Sequence, residues 1–357
     1  MKKSLIALAV LAASGASMAQ SSVTLYGILD TYYANVTTET AGVSLSTNKL
    51  DSGAVNGSRW GMKGSEDLGG GLKANFDLQA GIGLDTGAGT SATATAFSRQ
   101  SWVGFSGGFG ALRVGRTTTP FDDVSGSSNA VFDSALAPAG NGVFKSTGYS
   151  ARQSNMFYYQ APNMGGFSGA ISYALGEDKA TVATAPTLLV AGRTADATST
   201  TSLNLTYANG PIAAQFAYQT EATNVVGVLP GAVAASDVSF TRLGASYNFG
   251  VVTAKATYGK VSNVGNVKDV NATEYQIGVD YPMSSALTLS ASYAKSNDDQ
   301  PVAGAFEQAR QGFGIGAAYT LSKRTFLYGG YRSNTATVLN TSDTKTNVLA
   351  AGVQHRF

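Results

Sequence analysis

The chain has no cysteine, a single histidine, and few charges for its 357 residues, only 13% being Asp, Glu, Lys or Arg. Without thiols there is no disulfide framework, no thiolate zinc site and no cysteine nucleophile. The lone imidazole, His355, lies close to the C-terminus, which deprives a Ser/His or Asp/His constellation of its base. Long hydrophobic runs are missing too: no uninterrupted apolar stretch reaches the ~20 residues that a membrane-spanning helix needs. An excess of positive charge is also absent. The 24 basic residues, less Lys2 and Lys3 of a predicted leader, leave 22 against 22 acids, which argues against a nucleic-acid partner.

What is present begins with that leader. "MKKSLIALAVLAASGASMAQ" has a basic start, an apolar stretch from Leu5 to Ala13, and Ser17 and Ala19 in the small-x-small pattern of a cleavage site. The expectation is a cleaved signal peptide over 1–19 and an exported chain over 20–357 forming one domain. Gly (43 residues) and Tyr (17) are plentiful. Such a composition suits a Gly-rich secreted sandwich, or a sheet with lipid on one face and water on the other, where strands alternate apolar and polar residues.

Alternation is found throughout. In "VTLYGILDTYY", Val23, Leu25, Gly27, Leu29, Thr31 and Tyr33 share one face, against Thr24, Tyr26, Ile28, Asp30 and Tyr32. "ALTLSASYAKS", "RLGASYNF" and "GFGIGAAY" repeat the pattern. Sixteen such segments are readable, joined by seven tight connections (66–71, 107–111, 162–166, 208–211, 248–251, 281–286, 320–324). Eight longer ones lie between them (36–58, 83–97, 117–150, 177–201, 220–237, 260–272, 296–309, 333–345). Short and long alternate strictly. That asymmetry belongs to an all-β, transmembrane, antiparallel up-and-down barrel of 16 strands rather than to a Greek-key sandwich. Two apolar stretches near 181–192 and 224–236 fit neither scheme and are read as loops.

The alternation runs to the last residue, with Leu349, Ala351, Val353, His355 and Phe357 on one face. In lipid a sheet leaves no open edge, so the last strand is expected to pair with the first. Phe357 and His355 would then face lipid at the interface, where aromatic and amphipathic rings are favoured.

The stretches "SSVTLYGILD", "SRWGMKGSEDLGGGLKANFDLQ", "FSRQSWVGFSGGFGALRVGRTTTPFD", "NMFYYQAPNMGGFSGAISY" and "GVQHRF" together resemble the Gram-negative general porins, specifically the trimeric sixteen-stranded type of beta-proteobacteria. The resemblance spans the whole mature chain. It implies an outer-membrane location, a homotrimer surrounded by lipid and lipopolysaccharide, and a C-terminal signal at His355 and Phe357 read by the outer-membrane assembly machinery. It also implies that the 117–150 connection folds into the lumen as a third external loop, with Asp122, Asp123 and Asp133 forming the acidic side of a constriction.

Facing it, the resemblance places arginines matching Arg59, Arg99 and Arg152 in the eyelet, with Arg116 at the root of the loop. Alternation independently puts Arg59 and Lys63 opposite Trp60 and Met62, and Arg113 on a polar face. Parity at Arg99 is ambiguous, since Val103 and Phe105 share its face and Trp102 opposes it. Arginines across water from carboxylates favour anions when they outnumber them. The expected function is passive diffusion of small hydrophilic solutes and ions, mildly anion-preferring, with no enzymatic activity, cofactor or catalytic residue. Alternatives are a substrate-selective channel, an adhesin or scaffold, and a barrel enzyme, the last disfavoured by the lone His355. No metal-ligand cluster stands out; calcium on "SNDDQ" (296–300) has only weak support.

Overall fold

The structure, a computed structural model, describes residues 22–90, 96–177, 180–181, 194–195, 198–223, 235–299, 307–338 and 340–357. The leader over 1–19 lies outside the described residues, as do nearly all of the two apolar loop stretches.

Among the described residues, sixteen antiparallel strands form one closed sheet. They are β1 (Ser22–Thr40), β2 (Val43–Ser52 and Arg59–Gly69), β3 (Leu72–Gly81), β4 (Gln100–Gly107), β5 (Gly110–Thr118), β6 (Arg152–Gln160), β7 (Phe167–Ala174) and β8 (Thr200–Asn209). Then come β9 (Ile212–Glu221), β10 (Val238–Asn248), β11 (Thr253–Ser262), β12 (Asn271–Pro282), β13 (Leu287–Asp298), β14 (Glu307–Thr320), β15 (Thr325–Val338) and β16 (Thr344–Arg356). Each pairs with its sequence neighbours. Closure comes from β1, which pairs with β2 on one edge and with β16 on the other, from Ile28↔Arg356 to Thr40↔Thr344.

Side chains follow the period-2 rule. Val23, Leu25, Tyr33, Val103, Phe105, Leu243, Ile277, Ile315 and Leu349 all stand exposed on the outer wall, where a bilayer would cover them. Asp30, Tyr32 and Ala34 point inward and are buried.

Two connections differ from the sequence reading. The stretch 36–58 is mostly strand: β1 and β2 continue to a tight turn at Ala41–Gly42, both at positive φ (53° and 77°), and only 53–58 is irregular. β-branched residues in "VTTET" and "VSLST" favour extension, and two left-handed residues form the hairpin turn that matches strand twist. Likewise β15 and β16 run on to Val338 and Thr344, shortening the expected 333–345 loop. The barrel rim is raised at this seam.

The connection between β5 and β6 folds into the lumen. It opens with a helix, α1 (Pro120–Ser125), whose start the sequence specifies: Thr119 caps it by accepting from the Asp122 amide at 3.3 Å, Pro120 sits in the first turn, and Asp122 and Asp123 face the positive helix end. Its apolar underside packs on the inner wall, Phe121 and Val124 against Ala217, Phe240, Val261 and Ala272, and Val131 and Leu136 against Tyr32, Tyr328 and Ala350. Polar wall residues hold its backbone. Asn204 donates to the Pro120 carbonyl at 2.7 Å, Ser290 accepts from the Val131 amide at 2.6 Å, and Arg332 and Asn334 donate to the Ala135 and Asn141 carbonyls at 2.6 Å each.

Candidate functional site

The lumen narrows where this loop faces the wall of β2–β6. Four arginines converge there, each placed by an irregularity rather than by plain alternation. Arg59 is the first residue after the break in β2, and Arg152 is the first residue of β6. Arg99 lies in the bend just before β4, and its Nε donates to the inward-facing Gln79 Oε1 at 2.9 Å, which resolves the parity ambiguity. Arg116 follows a bulge at Gly115 (φ 134°) and reaches the Ser98 carbonyl (2.6 Å) and Ser154 Oγ (3.1 Å). Arg152 sits at the centre: its charge repels those of Arg59, Arg99 and Arg116. Among the described residues none of the four has a carboxylate within salt-bridge distance, although ion pairs form elsewhere at Lys49–Asp51, Lys145–Asp298, Arg242–Glu274 and Lys255–Asp280.

Acids stand on the loop. Asp122 accepts from Tyr149 Oη at 2.6 Å and feels the charges of Arg152 and Arg99. Desolvation raises its pKa above the usual 3.8, with Tyr149 and the two arginines pulling the other way. Asp123 accepts from Thr118 Oγ1 (2.6 Å) and Tyr158 Oη (2.7 Å) and is exposed to the lumen. Asp133 accepts from Asn129 Nδ2 (2.7 Å) and also reaches the lumen, but desolvation within the loop raises its pKa as it does that of Asp122. Asp122, Asn129, Asp133 and Tyr149 line a polar cavity of about 460 Å³.

Lys63 and Arg113 belong to another band. Lys63 is four residues along β2 from Arg59, about 13 Å at strand rise, and it flanks Asp77 together with Arg113. They face the lumen but do not join the Arg152 cluster.

Arg242 was missed by the sequence reading. Buried on β10, it donates to the Ser125 carbonyl at 2.6 Å and to Ser146 Oγ, pairs with Glu274 at 3.8 Å, and lies over the rings of Phe121 and Phe144. It stitches both ends of the loop to the wall. The only available signal was one arginine on the polar face of "RLGASYNF", which does not reveal a partner about a hundred residues away.

His355 and Phe357 stand on the outer face, exposed, beside β1 and β15. Phe357 exchanges backbone hydrogen bonds with Gly27 at 3.1 Å in both directions, and its ring covers Gly27 so closely that a Cβ would collide. Asp298 of the "SNDDQ" stretch is paired with Lys145. The narrowing holds fixed charges around water, an arrangement that sorts ions by sign.

Known proteins align with this architecture over nearly its full length. A match to the Gram-negative porin family covers residues 5–338. The chain is 35% identical to outer membrane porin protein 32 of Delftia acidovorans, over 99% of this chain and 94% of that one. It is 32% identical to an outer membrane porin protein of Bordetella pertussis, over the whole of both. Among solved structures, an anion-selective porin from Comamonas acidovorans superposes with a TM-score of 0.75 at 29% identity, covering 95% of this chain and all of that one.

Proposed function

The chain belongs to the Gram-negative porin family, and from that premise we propose an outer-membrane channel for small hydrophilic solutes and ions that prefers anions mildly. Arg59, Arg99, Arg116 and Arg152 form its basic side; Asp122, Asp123 and Asp133 form its acidic side. The observation that carries the preference is the set of four arginines lacking a carboxylate at salt-bridge distance among the described residues. Their field is therefore left to act across the water, and arginine stays charged at any physiological pH. The anion selectivity named for the Comamonas acidovorans porin supports the same sign.

A charge ~7 Å from the ion path in water-like surroundings changes an ion's energy by about 0.6 kcal/mol, roughly threefold in permeability before salt screening. The test is the zero-current potential of the refolded protein in a planar bilayer under a potassium chloride gradient. An anion-signed potential that moves toward cations in an Arg59→Ala/Arg152→Ala variant fits the assignment. An unchanged potential would sink it, and a cation-signed wild type would hand control to the loop acids. The proposal extends to a homotrimer held in lipid and lipopolysaccharide, delivered by assembly machinery that reads His355 and Phe357. Cross-linking in outer-membrane fractions would trap a three-subunit species if this holds.

A further inference from the structure

Below the Arg152 cluster, the lumen wall carries a second charged band that the loop does not neutralise. The guanidinium of Arg113 lies between two rings, 5.0 Å from the centroid of Trp102 and 4.9 Å from that of Tyr158. Tyr158 is itself held by its hydroxyl on Asp123. Lys63 Nζ sits 5.1 Å over the ring of Tyr26, whose hydroxyl donates to Asp77 at 2.5 Å. Register explains the gathering: Lys63 pairs with Asp77, Asp77 with Trp102, and Arg113 with both Gly104 and Tyr158, so successive inward positions of β2–β6 meet in one row.

Among the described residues neither Lys63 nor Arg113 makes a hydrogen bond or an ion pair, and their donors face an open recess of about 370 Å³ lined also by Asn75, Asp77, Trp102 and Ser106.

We propose that this recess is a binding subsite for small aromatic carboxylates passing through the channel. It rests on the porin reading given above. Two cations share one acid, Asp77, so the recess has room for one more negative charge. Arg113 is flanked by the rings of Trp102 and Tyr158 and carries a fork that matches a carboxylate. Half-buried Trp102 supplies an apolar ring platform beside that fork, where an aromatic ring gains by offset or edge contact. A volume of this size is at the low end for small-molecule recesses, about 300–1,000 Å³. An aliphatic acid would use the fork alone, and an uncharged aromatic the ring alone. Only an acid carrying a ring uses both.

The sequence has two tryptophans, and Trp60 is on the outer wall, so a Trp60→Phe variant leaves Trp102 as the only indole. Titrating this refolded protein with benzoate at constant ionic strength is expected to change Trp102 emission saturably, while acetate and benzamide do not. Adding Arg113→Gln is expected to weaken the apparent affinity about tenfold or more, the loss of a charge-assisted pair. If that variant does not refold, Lys63→Gln gives the second reading, with a smaller weakening. A linear response to benzoate no different from that to acetate, or one indifferent to both substitutions, overturns the subsite. In bilayers, benzoate should reduce the chloride current saturably. A channel that conducts potassium chloride but ignores benzoate overturns the subsite and leaves the porin standing. Folded protein with no conductance in potassium chloride alone overturns the porin reading instead.

Discussion

At the scale of single residues, the arginines at the narrowing sit where the chain stops being regular: the break in β2, the bend before β4, the bulge in β5 and the first residue of β6. A regular strand aims alternate side chains in opposite directions and cannot converge neighbours onto one point; an irregularity re-aims them. Their charges do not vary with pH in the working range, whereas Asp122 does. Its pKa is raised above 3.8, chiefly by desolvation. A raised carboxylate takes up its proton at a higher pH than an ordinary one, so acidification removes loop charge while the arginines keep theirs. Anion preference is therefore expected to rise as pH falls from neutrality toward 4. Asp122→Asn should remove part of that rise while raising the preference at pH 7, with Asp133, raised by the same cause, supplying the remainder. Zero-current potentials across the pH series measure it; an identical profile in the variant would refute the role given to Asp122.

At the scale of elements, the loop and the wall beneath it are written into each other. Inward positions on β10–β15 are small where the loop crosses. A Cβ on Gly244 would run into Ser128, one on Gly278 into Ala130, and one on Gly314 into the Leu136 carbonyl. Polar anchors fill the gaps, above all Arg242 with Glu274, both almost wholly buried. Breaking a buried pair by removing one partner costs about 3–5 kcal/mol, while replacing both can be close to neutral. Arg242→Ala is accordingly expected to loosen the loop and give a larger, noisier single-channel conductance. An Arg242→Met/Glu274→Gln double variant should return much of the quiet behaviour. Equal conductance in wild type and Arg242→Ala would show that the loop is held without this pair.

The same elements mark how far the sequence could be read. Period-2 alternation and the seven tight turns gave the strands, their faces and the origin of the long loop, because these are local properties of a two-sided sheet. The extension of β1 and β2 was hidden because a two-residue Ala41–Gly42 turn carries little signal inside a polar, Thr-rich stretch. Arg99 was ambiguous because parity fails where the chain bends. Arg242 was invisible because its meaning depends on Ser125, Ser146 and Glu274, which only the folded loop brings to it.

At the scale of the whole molecule, a barrel exists only if its first and last strands meet, and one side chain concentrates that closure. Asp30 on β1 is fully buried. Its carboxylate accepts from the backbone amides of Ala54, Val55 and Asn56 at 2.9–3.2 Å, from Tyr328 Oη at 2.5 Å and from Gln354 Nε2 at 2.9 Å. Those donors come from the break in β2, from β15 and from β16, so a single anion fastens both sides of the seam and fixes the bend that delivers Arg59. A carboxylate suits this better than an amide, because it accepts through both oxygens and donates nothing. Asp30→Ala leaves five donors without their acceptor, and each buried group left unmade costs about 1–3 kcal/mol. Relaxation and lumen water would recover part of that, so the expected loss is several kcal/mol, concentrated at the seam. Asp30→Asn keeps one accepting oxygen but turns two amide protons toward groups that are already donors, and it should be nearly as damaging. The measurement is the temperature at which detergent-folded protein loses its compact mobility on a gel, read for wild type, both variants, and Asn35→Ala as a control on the same strand away from the network. A clear fall for both Asp30 variants and none for the control would place closure in this carboxylate. Equal temperatures across the set would mean that the backbone ladder between β1 and β16 closes the barrel unaided.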